Sequence, residues 1–137
     1  MNKRTPVSEI MTKEIIIAHP GNTYSQVMEF FNTWKIQHLP ITFADRLIGI
    51  LSINDMIAFT YKHLSSGAKD FAGMDEKFAM REVMTSDPVS LAPDDTVEKA
   101  FSILSKGHFQ SLPVCNDGIL VGIITNKDLV RFYNEFL

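Results

Sequence analysis

The chain repeats itself along its length, and this duplication restricts its possible folds more than any other feature of the sequence. When the 137-residue sequence is shifted by 73 positions, Ser8–Phe59 aligns with Arg81–Phe132 without a gap. The aligned pairs include SEIMT with REVMT, QHLPI with QSLPV, and LIGILSIND with LVGIITNKD. A fixed period of this length is typical of an architecture built from similar structural units. The sequence therefore predicts two copies of one unit.

Each copy begins with the same series of predicted elements. An apolar stretch, Ile15–Ile17 or Pro88–Leu91, reads as a strand and is followed by a turn that contains proline. Thr23 and Thr96 are then good helix N-caps. Behind each cap, apolar residues follow the i, i+3, i+4, i+7 spacing of a helix that packs on one face. These residues are Val27, Phe30, Phe31 and Trp34 in the first copy and Val97, Ala100, Phe101 and Leu104 in the second.

Two short strands and a second helix complete each copy. The predicted strands are Leu39–Thr42, Leu47–Leu51, Leu112–Cys115 and Leu120–Ile124, joined in pairs by hairpin loops. The final helix starts at Ser52 or Thr125 and carries Met56, Ile57 and Phe59 in the first copy and Leu129, Val130 and Phe132 in the second. The resulting order of strand, helix, strand, strand, helix predicts an α+β fold.

The boundaries of the copies follow from the same pattern. We predict a first domain at residues 1–62, a linker at 63–79 and a second domain at 80–137. The region between the copies contains Ser65, Ser66, Gly67 and Gly73, and it reads as an extension of the preceding helix followed by a flexible connection.

Composition and motif searches weigh against several classes of function. The net charge of −3 argues against nucleic-acid binding, which usually needs a concentrated basic face. The single cysteine, Cys115, excludes an internal disulfide and fits a reduced cytoplasmic setting. No apolar run approaches a membrane span, and the start MNKRTPVSE lacks the apolar core of a signal peptide. The four histidines have no metal-ligand spacing, and no phosphate loop, dinucleotide fingerprint or nucleophile elbow occurs. We expect no metal, no catalytic residue and no enzymatic activity.

The duplicated motif that closes each copy admits two interpretations. Ser52-x-x-Asp55 and Thr125-x-x-Asp128 have the form of capping boxes, in which a hydroxyl and a carboxylate satisfy the first turn of a helix. The same geometry also offers free N–H groups to a phosphate and a carboxylate to a ribose diol. The two roles are compatible, because the same groups that cap the helix can also form hydrogen bonds to a bound ligand.

Taken together, the Met-Thr opening, the Leu-Pro before the hairpin and the Gly-x-x-[Ser/Thr]-x-x-Asp close resemble a tandem pair of CBS domains, named after cystathionine β-synthase and often called a Bateman module. The resemblance covers Val7–Phe132. It implies two CBS domains packed about a pseudo-twofold axis, two clefts between them and commonly a homodimer. In many members the clefts bind adenosyl ligands such as AMP, ADP, ATP or S-adenosylmethionine.

The resemblance also implies roles for individual residues. Asp55 and Asp128 would hold ribose, and Ser52 and Thr125 would contact phosphate. Thr12 would lie at the mouth of a cleft, and His38, replaced by Ser111 in the second copy, would face one. The apolar candidates for contact with adenine are Ile15, Ile16, Ile17, Ile50, Pro88, Val89 and Ile123.

The two motifs differ in charge. Lys127 and Arg131 accompany the second motif, whereas Asn54 and Ala58 occupy the corresponding positions of the first. Because an anionic phosphate favours basic neighbours, this asymmetry predicts one good site at the second motif and a poor or empty site at the first.

These observations predict a regulatory sensor that binds an adenine nucleotide between two CBS repeats and acts on an unidentified partner protein. The alternative is a ligand-free dimeric module for protein interaction, in which Phe71 and Phe78 near the linker pack across a dimer interface or cover the sheet edge.

Overall fold

In the computed structural model, residues 2–68 and 70–136 are described. They form two compact units. We call Ile16–Pro88 the central unit, and we call the chain up to Ile15 together with the chain from Val89 onward the terminal unit. The boundaries of the compact units therefore differ from the predicted sequence boundaries of the repeats, because the opening segment of each repeat belongs to the unit that contains the body of the other.

The hairpin strands and the helices on either side of them follow the predicted order in both units. The central unit contains α1 (Tyr24–Trp34), β1 (His38–Phe43), β2 (Arg46–Ser52), α2 (Ile53–Ser65), α3 (Phe71–Lys77), α4 (Met80–Val83) and β3 (Thr85–Ser86). The terminal unit contains a 3₁₀ turn (Val7–Glu9), α5 (Val97–Leu104), β4 (Ser111–Asn116), β5 (Ile119–Thr125) and α6 (Asn126–Phe136). The prediction of an α+β fold is confirmed.

The predicted hairpins and caps are present. In β1–β2, pairing runs from His38 opposite Ser52 to Phe43 opposite Arg46, and β4–β5 has the equivalent antiparallel register. Both residues of each turn have positive φ, 51° and 66° in the first hairpin and 50° and 84° in the second, as expected for a two-residue turn that matches strand twist. Thr23 caps α1 in a complete capping box, and Thr96 caps α5.

The predicted opening strands are largely wrong. The second shortens to one bridging residue, Leu91 beside Val114, and the first is replaced by a bridge just beyond it, Ala18 beside Ile41, both parallel. The neighbouring residues make no strand ladder, and Ile17 and Val89 are 44% and 45% exposed. An apolar run alone does not distinguish an extended loop from a strand.

The predicted flexible linker is partly wrong. As predicted, α2 extends to Ser65, but Phe71–Lys77 then forms the helix α3. Met74 on α3 is buried in the core of the central unit. The carboxylate of Asp75 accepts hydrogen bonds from the backbone N–H of Ser25 at 2.8 Å and from its hydroxyl at 2.9 Å. This segment therefore caps the start of α1.

Each unit has its own apolar core, drawn from the predicted positions except for Val7. The central core includes Val27, Phe31, Leu39, Ile41, Leu51, Met56 and Phe59. The terminal core includes Val7, Leu91, Val97, Ala100, Leu112, Val114, Ile124, Leu129 and Phe132. Three residues predicted on packed faces are instead more than half exposed, namely Trp34, Ile57 and Val130.

The opening segment of each repeat packs against a strand of the unit that holds the other repeat, and a glycine in that strand leaves room for it. Met11 packs its thioether over Gly122 of β5, and Met84 does the same over Gly49 of β2. Thr12 then pairs with Ile123, and Thr85 with Ile50. A Cβ atom at either glycine would occupy space that the methionine fills. The glycine is therefore required for close approach of a neighbouring chain segment.

We expect Gly122→Ala to lower the free energy of unfolding by about 1–3 kcal/mol, the usual effect of overpacking a core. In the double variant Gly122→Ala/Met11→Ala the clash is absent, so its loss should be smaller than the sum of the single losses. Urea unfolding of the four proteins measures this coupling, and additive losses would contradict the packing argument.

Candidate functional site

The first candidate site lies where β2 ends and α2 begins. Ser52 has extended backbone angles, and its hydroxyl accepts a hydrogen bond from the backbone N–H of Asp55 at 3.0 Å. In return, Oδ2 of Asp55 accepts from the backbone N–H of Ser52 at 2.8 Å. The predicted capping box is confirmed here. It holds the Asp55 carboxylate at the positive end of α2, where negative charge is stabilised.

The Asp55 carboxylate keeps an open acceptor. Its other oxygen, Oδ1, has no hydrogen-bond donor among the residues that the structure describes. The side chain is partly exposed rather than buried. A hydroxyl that approaches from solvent could therefore donate to Oδ1 without breaking the cap.

His38 lies beside this junction. It is the register partner of Ser52, and directly opposed residues of an antiparallel pair present their side chains on the same face. Burial lowers the pKa of the His38 imidazole below its ordinary value, while the nearby Asp55 carboxylate opposes that change. The imidazole is therefore mainly neutral at pH 7.

The second candidate site, where β5 meets α6, has the same cap but a more crowded carboxylate. Oδ2 of Asp128 accepts from the backbone N–H of Thr125 at 2.9 Å and from its hydroxyl at 3.1 Å. The hydroxyl of Thr12 donates to Oδ1 at 3.0 Å, and the guanidinium of Arg131 lies 3.6 Å from the same oxygen. Asp128 is only 3% exposed.

Ser111 supplies an unusual polar group next to this junction. It is 5% exposed, and its hydroxyl is a buried polar atom without a hydrogen-bond partner in the part of the chain that the structure describes. Ser111 is the register partner of Thr125, so the two side chains share a face of the hairpin. An unsatisfied buried hydroxyl costs about 1–3 kcal/mol, which a ligand or a water that bonds it would offset.

The structure sorts the sequence-predicted residues into two sets. The central unit holds Ile16, Ile17, His38, Ile50, Ser52, Asp55 and Pro88. The terminal unit holds Thr12, Ile15, Val89, Ser111, Ile123, Thr125, Lys127, Asp128 and Arg131. Sequence reasoning gave Thr12 only a general place at a cleft mouth, and it missed the hydrogen bond to Asp128. No local signal reveals that bond, because it joins residues 116 positions apart.

The apolar residues predicted to contact adenine differ in their burial. Ile123 is buried, and Ile16 packs against the core of the central unit. Ile17 and Val89 are 44% and 45% exposed, so these two are not core residues. A role for any of them in holding adenine stays a prediction.

The charge asymmetry is weaker than the sequence indicates. Lys127 is exposed, but the Arg131 guanidinium is paired with the Asp128 carboxylate. The second motif therefore offers less unpaired positive charge than its composition indicates, while the first keeps an unsaturated carboxylate.

Within residues 2–68 and 70–136, no group of three or more His, Cys, Asp or Glu side chains is placed to hold a metal ion. None of the helices described there has both the length and the apolar character needed to cross a membrane.

Comparison with known families gives a match to both repeats. A sequence model described as the CBS domain matches residues 7–61 and 80–135. Among curated relatives, the uncharacterised proteins MJ1225 and MJ0188 of Methanocaldococcus jannaschii are 24% and 30% identical over 134 and 128 residues, covering 93% and 91% of this chain. The chain spans only 46% and 43% of their lengths, so it is about half as long as these relatives.

Solved structures agree with this fold. A crystal structure of CBSX2 in complex with AMP, a protein from Arabidopsis thaliana, has a TM-score of 0.80 at 23% identity and covers 96% of this chain and 97% of that one. The CBS domain pair of protein MJ0100, in complex with 5′-methylthioadenosine and S-adenosyl-L-methionine, has a TM-score of 0.77 at 26% identity and covers 97% and 98%.

The lowered pKa of His38 predicts a pH-dependent stability. Because the unfolded chain binds a proton at this residue more readily than the folded chain, stability should fall as the pH drops below about 6.5, the unfolded value, and level off below the folded value. The His38→Gln variant should lack this loss of stability at low pH. The difference between the two unfolding free energies, measured from pH 8 to pH 5, isolates it, and parallel curves would show that the histidine is not perturbed.

Proposed function

The chain belongs to the CBS domain family, and on that premise we propose that it is a regulatory module that binds an adenosyl ligand, either an adenine nucleotide (AMP, ADP or ATP) or S-adenosylmethionine, at its strand-to-helix junctions. The observation that carries this proposal is the Asp55 carboxylate, which is held at a helix N-terminus with one oxygen still open. We propose a regulatory rather than a catalytic role, in the cytoplasm.

The chemistry of the first junction suits a nucleotide. A ribose diol needs a strong acceptor, and the open Oδ1 of Asp55 is one. A phosphate needs N–H donors and positive potential, which the first turn of α2 supplies beside the Ser52 hydroxyl. His38 on the same face adds a ring N–H that can donate to a phosphate oxygen.

The comparisons support the ligand class. CBSX2 was crystallised with AMP, and the CBS pair of MJ0100 with 5′-methylthioadenosine and S-adenosyl-L-methionine. These ligands share an adenosine moiety. A ribose-directed carboxylate and an apolar surface for the base are the features that such a group requires, and partly exposed apolar residues such as Ile17 lie in the central unit with Asp55.

We expect Asp55→Asn to weaken the binding of AMP or S-adenosylmethionine at least tenfold while changing stability by less than about 1 kcal/mol. Asparagine keeps an oxygen that can accept from Ser52, so the cap survives, but its NH₂ cannot accept from a ribose hydroxyl. Isothermal titration of wild type and variant, with the melting temperature of each, measures both effects.

The control for this variant is Asp75→Asn, which changes a carboxylate of the same unit at the start of α1. It should leave affinity unchanged. Equal affinities of wild type and Asp55→Asn would remove Asp55 from the site, and no thermal shift with any adenosyl ligand would favour the ligand-free interaction module.

An exposed apolar face also supports a homodimer. Ile57, Tyr61 and Leu64 recur on one side of α2 and are 59%, 76% and 52% exposed. Monomeric soluble proteins rarely expose apolar patches of large area. We propose that a second copy of the chain covers this face, as in the twofold dimers that are the commonest oligomers. Phe78, by contrast, packs edge-on against Phe59 within the central unit and is a poor candidate for the interface.

We expect Tyr61→Glu to convert the dimer to a monomer, because a carboxylate buried at an apolar interface lacks a partner. Phe43→Glu, at an exposed aromatic residue (62%) of the β1 hairpin, should leave the dimer intact. Light scattering coupled to gel filtration gives the mass of each protein. A monomeric wild type, or a Tyr61→Glu dimer, would contradict the assignment of this face.

A further inference from the structure

The two motif carboxylates are in different states. Asp128 accepts hydrogen bonds on both oxygens, from Thr125 and Thr12, lies 3.6 Å from the Arg131 guanidinium, and is 3% exposed. Asp55 is partly exposed and, among the residues that the structure describes, accepts on one oxygen only, from its own cap. A carboxylate that has donors on both oxygens and is shielded from solvent has little capacity for a ribose diol.

Thr12 is the group that completes the set of donors around Asp128. Its backbone is fixed by a pair of hydrogen bonds with Ile123, at 2.9 Å and 3.0 Å. That pairing places the hydroxyl 3.0 Å from Oδ1 and 3.3 Å from Oδ2 of Asp128. Thr12 itself is exposed, so a molecule from solvent can reach and displace its hydroxyl.

The equivalent threonine of the other unit does not do this. Thr85 pairs with Ile50 as Thr12 pairs with Ile123. Like Thr12 it is exposed. Among the described residues, however, its hydroxyl donates no hydrogen bond to Asp55. The same backbone register therefore gives one covered and one open carboxylate.

The buried Ser111 hydroxyl is an independent sign that the covered junction can accept a ligand. It lies on the face of the hairpin that carries Thr125, and it lacks a partner in the described part of the chain. A closed capping arrangement alone does not need an unsatisfied hydroxyl there, whereas a polar ligand group would satisfy it.

We propose that Thr12 occupies the position from which a ribose hydroxyl would donate to Asp128, so that the chain inhibits its own second site. The inference rests on the proposed function. Adenosyl ligands then fill the Asp55 site first, and they enter the Asp128 site only at concentrations high enough to displace the Thr12 hydroxyl. The module responds to its ligand in two concentration ranges.

The test reads the second site against a weakened first site. In the Asp55→Asn background of the full chain, AMP and S-adenosylmethionine are titrated calorimetrically with and without Thr12→Ala, which removes the hydroxyl and vacates the position that it fills. We expect affinity to rise by roughly tenfold, the value of one hydrogen bond to a charged acceptor. Thr12→Ser, which keeps the hydroxyl, should retain the weak affinity, and melting curves establish that each variant is folded.

The possible outcomes separate the two proposals. A gain of affinity with Thr12→Ala but not with Thr12→Ser supports the inhibitory contact. Binding of either ligand to wild type, with no gain from Thr12→Ala, overturns the contact and leaves the proposed function standing. If neither ligand binds wild type or any variant, the proposed function fails, and the inference fails with it.

Discussion

The structure depends on the contact between a methionine and a glycine on the strand that receives it. Met84 covers Gly49, and Met11 covers Gly122, so that the opening segment of one repeat completes the unit that holds the motif of the other. A strand glycine leaves room for a neighbouring segment to approach, and the flexible thioether fills the space. The register that follows, Thr12 with Ile123 and Thr85 with Ile50, decides which side chains can reach each motif.

That arrangement gives a physical account of why two nearly identical motifs need not act alike. Both are true helix caps, and both carboxylates stabilise the positive end of a helix. Only Asp128 is also covered by a hydroxyl from a distant part of the chain and approached by a guanidinium. The basic residues Lys127 and Arg131 favoured the second motif in the sequence, but its carboxylate already accepts hydrogen bonds from the chain itself. Asp55, with an open oxygen among the described residues, is therefore the better candidate for ribose.

Much of the fold could be predicted because its signals are local. The caps at Thr23, Ser52 and Thr96, the two hairpins and the burial of Phe31 and Leu104 follow from residues only a few positions apart. Predictions failed for segments whose structure depends on residues that are close in space but distant in sequence. The segment around Ile17 has the composition of a strand but gains only one bridge, and the supposed flexible linker becomes a helix because Met74 and Asp75 find partners on the central unit.

The sequence by itself determined the duplication, the order of elements and the chemistry of the two motifs, since a capping box is encoded within four residues and a hairpin within its turn. Only the tertiary structure decided that Thr12 covers Asp128 while, within the described part of the chain, Asp55 keeps an open oxygen and Ser111 an unsatisfied hydroxyl. The reason is the separation of 116 positions between Thr12 and Asp128. A hydrogen bond over that distance depends on the path of the whole chain, which no local pattern of residues specifies.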